Sequence, residues 1–181
     1  MILDIENIIQ GCRKKHRPAQ EKFYKHFYRY AMSICMPYSQ SKFEAEEVAN
    51  DGFMKIFAKF DSYDSKYPVE AWLRRIMINA SIDYFRSQKK YYHQLDISEA
   101  RAIENVDISI LDKISAEEVM RHVQELPPSY RISFTLAAIE GYKHHEIAKM
   151  LNISEGASKS NLAKAKAKLR KSITATNYLK D

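Results

Sequence analysis

The sequence predicts an all-α protein with two small helical domains, joined by a flexible acidic linker, the C-terminal one containing a helix-turn-helix. Among 181 residues there are only four glycines and five prolines, so residues that break helices are scarce. Apolar residues recur at helical spacing, and no sustained alternation of strand type is present. The apolar share of 45% is sufficient for two cores.

The first domain is predicted over residues 1–90, as a block of three main helices. Pro18 is suited to the first turn of one helix, and Ser41 with Glu44 forms a capping-box pair at the start of the next. A third helix is expected after Pro68. The residues predicted to face the core are Ala19, Phe23, Phe27, Tyr30, Ala31 and Ile34, then Ala49, Phe53, Ile56, Phe57 and Phe60, then Trp72, Ile76, Asn79 and Ala80.

The segment 91–112 is acidic and lacks a strong apolar period, which predicts a linker. The second domain is predicted over residues 113–181, with four helices. Ser115 and Glu118 form another capping-box pair, Pro127 and Pro128 separate two helices, and Gly141 supplies a stop.

The stretch from Gly141 to Lys171 has the pattern of a helix-turn-helix. Asn152 interrupts the apolar period of a first helix, and Ser154 is placed to cap a second. The second helix is predicted to turn Ser158, Leu162, Ala165 and Leu169 inward, and to leave Lys159, Ser160, Asn161, Lys164, Lys166 and Lys168 off that stripe.

The positive charge of the chain is concentrated in this motif. Residues 142–171 contain eight lysines and arginines and two glutamates, a net charge of +6, and the whole chain has 29 basic and 23 acidic residues, also +6. The remaining residues therefore sum to zero. A local excess of this kind favours contact with nucleic-acid phosphates.

Two separate segments resemble one known family. The N-terminal block ends with WLRRIMINASIDYFRSQ. The acidic spacer is followed by LPPSYR and then by GYKHHEIAKMLNISEGASKSNLAKAKAKLRK. In this order and spacing, they resemble a bacterial extracytoplasmic-function sigma factor of the sigma-70 family. The resemblance covers roughly residues 10–173. It implies a region 2-like domain that binds core polymerase and melts the −10 element, and a region 4-like domain that recognises the −35 element.

The resemblance also implies residue roles. The contacts with core polymerase would be Glu47, Asn50, Asp51 and Lys55. The melted −10 strand would meet the loop 61–69 and the following helix, through Tyr67, Arg75, Asn79, Asp83 and Arg86, with Lys89 and Lys90 along its phosphates. The −35 duplex would meet Lys159, Ser160, Asn161, Lys164 and Lys168, with Lys166, Lys168 and Arg170 nearer the backbone.

The expected partners are core RNA polymerase, promoter DNA and an anti-sigma factor, in the cytoplasm, without membrane insertion of this chain and without a cofactor. The chain departs from the family at Asn50, where glutamine is usual, and at Asn161, where many relatives carry arginine. Lys143 stands where the first motif helix commonly has a hydroxyl cap, which predicts a frayed start or capping by the backbone alone. Ser158 replaces a frequent valine, and its hydroxyl is expected to bond a carbonyl one turn back.

The sequence does not favour an enzyme. His144, His145 and Glu146 lack the second histidine that a zinc protease motif needs at Lys149. Cys12 and Cys35 lie in predicted helices, so buried thiols are expected rather than a disulfide. The alternatives are a helix-turn-helix regulator with an N-terminal sensing domain and an adaptor that joins proteins.

Overall fold

The computed structural model describes residues 4–92 and 115–178, and side chains within 4–88 and 115–175. Every regular element in these ranges is helical, which confirms the predicted fold class. The predicted linker lies, from residue 93 onward, outside the described residues. The helices are α1 (Ile5–Arg13), α2 (Arg17–Cys35), α3 (Lys42–Ala58), α4 (Val69–Tyr92), α5 (Ala116–Gln124), α6 (Pro128–Phe134), α7 (His144–Leu151) and α8 (Glu155–Tyr178).

The helices form two compact units. The first contains α1, α2, α3 and the part of α4 up to Ser81, and the second contains α4 from Ile82 together with α5 to α8. The division falls inside α4, so a domain boundary at residue 90 stays a prediction. None of the described helices is long and apolar enough to cross a membrane.

The core of the first unit is aromatic. The Phe23 ring lies 4.6 Å from that of Phe27 and 5.1 Å from that of Phe60, between ring centroids. Offset and edge-to-face arrangements at these distances are the favourable ones. The predicted stripe of α2 is buried at Ala19, Phe23, Phe27, Ala31 and Ile34. Tyr30, which was expected to share it, is only half-buried.

The predicted core face of α4 is confirmed at Ala80, but elsewhere it is wrong by a rotation of the helix. Leu73 and Met77 are fully buried, whereas Trp72 and Ile76 are half-buried and Asn79 is exposed. Gly52 of α3 explains the rotation, because a Cβ atom built there would lie 2.3 Å from Sδ of Met77. The absence of a side chain lets Met77 enter, and the stripe through Leu73 and Met77 therefore faces inward.

Gly11 makes a second close approach, between α1 and α2. A Cβ atom at this position would lie 2.5 Å from Cβ of Ala19. We expect Gly11→Ala to lower the free energy of unfolding by about 1–2 kcal/mol, because overpacking outweighs the gain in helix propensity. Urea unfolding followed by the fluorescence of Trp72, the single tryptophan of the chain, measures this in the first unit.

Gly156 of α8 is the matched control for that prediction. A Cβ atom there would meet only Ser154 Oγ, at 3.9 Å, so Gly156→Ala adds helix propensity without a clash. This variant should leave the Trp72 transition unchanged. An unchanged transition in Gly11→Ala would mean that α1 can move away from α2 at little cost.

The second unit is built around α8. Its core consists of Val123, Leu126, Tyr130, Ala165, Leu169 and Ile173. The predicted inward stripe is therefore confirmed at Ala165 and Leu169, and Leu162 is half-buried. After α6, the chain continues as one π-helical turn, Thr135–Ile139. This helical segment stops before Gly141, whose φ of +76° confirms the predicted stop.

Both cysteines are buried thiols, as predicted, and they form no disulfide with each other. Burial raises the pKa of the Cys12 thiol to about 11 and that of Cys35 to about 12. Thiols with such pKa values are almost entirely protonated near neutral pH, and they pack as small apolar side chains.

Candidate nucleic-acid interface

The helix-turn-helix consists of α7, a short turn and α8. Asn152 ends α7 in the left-handed conformation, with φ of +52°. Ser154 Oγ then accepts a hydrogen bond from the backbone N–H of Ala157, at 3.0 Å, which confirms the predicted cap of α8. Ile147 and Leu151 are buried, so α7 packs through its apolar side.

The two helices of the motif are also joined by a polar contact. His144 Nδ1 and Ser158 Oγ share a hydrogen bond of 2.9 Å, and Ser158 is fully buried. The expected bond from Ser158 to a carbonyl one turn back is therefore wrong. A partner on the neighbouring helix is available because α7 begins directly beside the first turns of α8.

The start of α7 is capped by a side chain, contrary to the sequence expectation. The carboxylate of Glu146 accepts a hydrogen bond from the backbone N–H of Lys143, at 2.7 Å. This is the return bond of a capping box, and a negative charge in the first turn also suits the helix dipole. The missing hydroxyl at Lys143 is thus offset by Glu146.

The predicted −35 contacts fall on different sides of α8. Lys159 and Ser160 are exposed. Lys159 Nζ pairs with Glu155 Oε1 at 2.9 Å, and this hydrogen bond and charge hold the pKa of Glu155 below its usual value. The pair is solvent-exposed, so it contributes little and can be exchanged for a phosphate.

The other three predicted −35 contacts lie beside neighbouring helices. Asn161 Nδ2 donates to Ser133 Oγ of α6 at 3.4 Å, and Lys164 Nζ lies 5.7 Å from the ring centroid of Tyr130. Lys168 lines an open cavity together with His122, Glu125, Leu126, Lys171, Ser172 and Ala175. The side chains of this flank are therefore partly engaged within the unit.

Small residues occupy the outermost face of α8, a feature that sequence reasoning missed. Gly156, Ser160 and Ala163 are exposed and follow one another at steps of four and three. By the same spacing, Lys159, Lys166 and Arg170 lie along one flank of this face, and Lys164, Lys168 and Lys171 lie along the other. A helix with a low ridge between two rows of cations fits the depth and the phosphate walls of a major groove.

The predicted strand-binding residues of α4 share one face of that helix. Arg75, Asn79, Asp83 and Arg86 are exposed, and their spacing of four, four and three places them in one row. Arg86 Nη1 lies 3.8 Å from Asp83 Oδ1. The side chains of Lys89 and Lys90 lie outside the described residues.

The loop before α4 presents one exposed aromatic ring. Tyr67 is 66% exposed, while Tyr63 is buried and its ring lies 5.2 Å from that of Trp72. The Tyr63 hydroxyl donates to the Tyr67 carbonyl at 2.7 Å. Burial raises the pKa of Tyr63, which remains a hydrogen-bond donor at neutral pH. The predicted loop 61–69 begins as a 3₁₀ turn, Phe60–Ser62.

The predicted polymerase contacts lie on α3. Glu47, Asn50 and Asp51 are exposed and Lys55 is half-buried. Asn50 Oδ1 accepts a hydrogen bond from the Tyr24 hydroxyl at 2.9 Å, which orients its amide. The structure brings Glu47, Asn50 and Asp51 together on the outward side of one helix.

Two large apolar residues on the same side were missed. Phe43 is 78% exposed and Met54 is 70% exposed, and both lie in the row that contains Glu47 and Asn50. They are eleven residues apart, which is three helical turns, so this spacing could have shown from the sequence that they share one face. Exposed apolar side chains bordered by charges are typical of a protein-binding surface.

These features define a class of protein: a helix-turn-helix DNA-binding protein with a second helical unit that has its own exposed surfaces. Comparison with known families then identifies two regions. Residues 23–91 match the family model of sigma-70 region 2, and residues 116–169 match that of sigma-70 region 4.

Two similar proteins identify the branch of the sigma-70 family. The chain is 31% identical to the ECF RNA polymerase sigma factor SigM of Bacillus subtilis over 144 residues, which is 79% of this chain and 85% of that protein. It is 25% identical to the ECF RNA polymerase sigma factor SigW of the same organism, over 77% of this chain and 81% of the relative. The chain belongs to the extracytoplasmic-function (ECF) sigma factors of the sigma-70 family.

A similar solved structure is described as the sigma factor RpoE in complex with the anti-sigma factor NepR from Bartonella quintana. It is 18% identical, with a TM-score of 0.49, and the match covers 83% of this chain and 94% of that chain.

Proposed function

We propose that this chain directs core RNA polymerase to specific promoters and initiates transcription by recognising and melting promoter DNA. The observation that carries the proposal is the presence, in one chain and in this order, of sigma-70 regions 2 and 4. The chain supplies binding surfaces, and the polymerase supplies the catalysis. We further propose two domains, residues 1–90 and 113–181, that act in the cytoplasm.

The −35 element is read by α8. Its exposed residues Lys159 and Ser160, with the small residues beside them, allow a close approach to the groove floor. Lysines contribute mainly phosphate contacts, whereas arginine and asparagine suit bidentate contacts with bases. Because Asn161 is engaged with Ser133 in the unbound chain, sequence preference rests largely on the shape of the DNA and on the melted element.

The melted −10 strand is held by α4 and the loop before it. Opening a duplex costs on the order of a few kcal/mol per unstacked base, and capture of the displaced base on an aromatic surface offsets this cost. Tyr67 is the exposed ring of the loop, while Arg75 and Arg86 provide positive charge in the row on α4. Asn79, between them, offers hydrogen bonds to a base edge.

Core polymerase is bound by the outward side of α3. Glu47, Asp51 and the amide of Asn50 provide polar contacts, with Lys55 at the border. Phe43 and Met54 add the apolar area that a stable interface requires. An anti-sigma factor is proposed as a further partner, because the two domains must be kept from polymerase when the factor is silent.

Reconstituted transcription tests the proposal. Purified chain and core polymerase are mixed with a library of candidate promoters, and the 5′ ends of the transcripts are mapped. We expect co-elution with core in gel filtration, and initiation at a defined subset of promoters only in the presence of the chain.

The helix-turn-helix regulator is the alternative that this experiment separates. A regulator of that kind binds an intact operator without polymerase, usually as a dimer on paired half-sites. Operator binding by a dimer, with neither core association nor directed initiation, would replace the proposal by that alternative.

A further inference from the structure

The loop that carries Tyr67 is held by a helix at the start of the chain. Arg13 is the last residue of α1, and its Nη2 donates to the Tyr63 carbonyl at 2.7 Å. The Tyr63 hydroxyl in turn donates to the Tyr67 carbonyl at 2.7 Å. Two successive hydrogen bonds therefore connect α1 to the residue with the exposed ring: the Tyr63 carbonyl accepts the first and the Tyr63 hydroxyl donates the second.

The two ends of this chain of contacts differ in burial. Tyr63 is 7% exposed and packs on Trp72, so its hydroxyl is fixed in place. Tyr67 lies four residues later and projects into solvent. Within the loop, the backbone N–H of Lys66 donates to Asp64 Oδ1 at 3.0 Å, which forms a local turn. The loop is thus anchored through its backbone, while the Tyr67 side chain stays available.

The guanidinium of Arg13 is partly buried and only partly hydrogen-bonded. Its Nε atom is buried and has no hydrogen-bond partner among the described residues, although Nη2 makes the bond to Tyr63. Burying part of a guanidinium is costly, and a charge-assisted bond to a carbonyl is correspondingly strong. An apolar side chain would satisfy the packing at this position but would leave the Tyr63 carbonyl without its donor.

We propose that Arg13 is a positioning residue for promoter opening, which fixes the conformation of the loop that captures the melted strand. Arg13 acts through Tyr63 and touches no nucleotide. The inference rests on the proposed function, and it adds a residue of α1 to the residues that determine melting. A loop that is ordered before binding loses less entropy when the strand arrives, so capture is stronger.

The test uses the reconstituted holoenzyme with three variants. Arg13→Met removes the donor but keeps the length of the side chain, Arg13→Lys keeps a charged donor, and Tyr63→Phe removes the second hydrogen bond but keeps the ring on Trp72. Open complexes are measured with 2-aminopurine in the −10 element of a duplex promoter. Affinity for core and for a duplex carrying only the −35 element is measured in parallel.

We expect Arg13→Met and Tyr63→Phe each to lower the rate of open-complex formation about tenfold, the effect typical of losing one strong hydrogen bond. Core affinity and −35 binding should stay within about twofold of the wild type, and Arg13→Lys should restore most of the rate. Arg17→Met is the matched control, because Arg17 is exposed at the start of α2 and should not affect any of the three measurements.

Normal opening by Arg13→Met would overturn the inference. A uniform loss in all three assays would also overturn it, because Arg13 would then maintain the fold rather than the loop. If Arg13→Met fails to fold, Tyr63→Phe tests the second hydrogen bond, through which Arg13 acts on Tyr67, and normal opening by that variant would likewise overturn the inference. Failure of the wild-type chain to bind core or to open any promoter would overturn the proposed function, and the inference with it.

Discussion

Glu47→Lys is expected to lower the affinity of the chain for core RNA polymerase at least tenfold. Glu47 is exposed between Phe43 and Met54 in the outward row of α3, so a new positive charge would enter the centre of the proposed interface. Placing a positive charge against a partner surface that complements a negative one costs several kcal/mol. Fluorescence anisotropy with labelled chain and purified core measures the affinity directly.

The fold should survive this change. Glutamate and lysine have similar helix propensities, and circular dichroism should show unchanged helicity. Glu21→Lys is the control, since Glu21 is exposed on α2 and pairs with Lys25 there, at 2.5 Å. It reverses the same charge away from the α3 face. Wild-type core affinity in Glu47→Lys would contradict the placement of polymerase on α3.

The variant Met54→Ala distinguishes a purely ionic interface on α3 from one that also buries apolar area. If polymerase contacts were purely ionic, Met54→Ala would have no effect at high salt. With Met54 70% exposed in the unbound chain, its burial against a partner contributes area that salt does not screen. The loss of affinity in Met54→Ala should therefore persist as ionic strength rises, whereas the effect of Glu47→Lys should shrink.

Short-range chemistry explains why much of the fold could be predicted. The caps at Ser41, Ser115 and Ser154 involve residues three positions apart, and each hydroxyl accepts the expected backbone hydrogen bond. The stops at Gly141 and Asn152 depend on the conformational freedom of single residues. Such features require no knowledge of distant parts of the chain.

Features that depend on the partner of a helix could not be predicted in this way. The rotation of α4 follows from the space at Gly52 on α3, and the contact between His144 and Ser158 joins residues fourteen positions apart. For the same reason, the sequence could not show that Asn161 turns toward Ser133. The exposure of Phe43 was missed because an apolar residue on a helix is ordinarily assigned to the core.

Removing three cations from one flank of α8 is expected to weaken promoter binding roughly a hundredfold. The triple variant Lys159→Ala, Lys166→Ala, Arg170→Ala deletes the row on one side of the small-residue face. Each neutralised phosphate contributes about 0.9 to the slope of log affinity against log salt, so three contribute about 2.7. Extrapolated from 1 M to 0.15 M salt, that slope corresponds to roughly a hundredfold in affinity. Filter binding of the holoenzyme to a promoter duplex, repeated across salt concentrations, gives both quantities.

A matched triple variant on another helix controls for the change in net charge. Lys22, Lys25 and Arg29 are exposed on α2, and replacing all three by alanine removes the same charge. Lys25 also has a glutamate partner one turn earlier, as Lys159 has, so both triples leave one such glutamate unpaired. The α2 triple should leave the salt slope within about 0.5 of the wild type, because α2 lies outside the proposed DNA contacts. Equal slopes for the two triples would mean that the charge of the whole chain, rather than the α8 flank, governs binding, and α8 would then not lie in the groove.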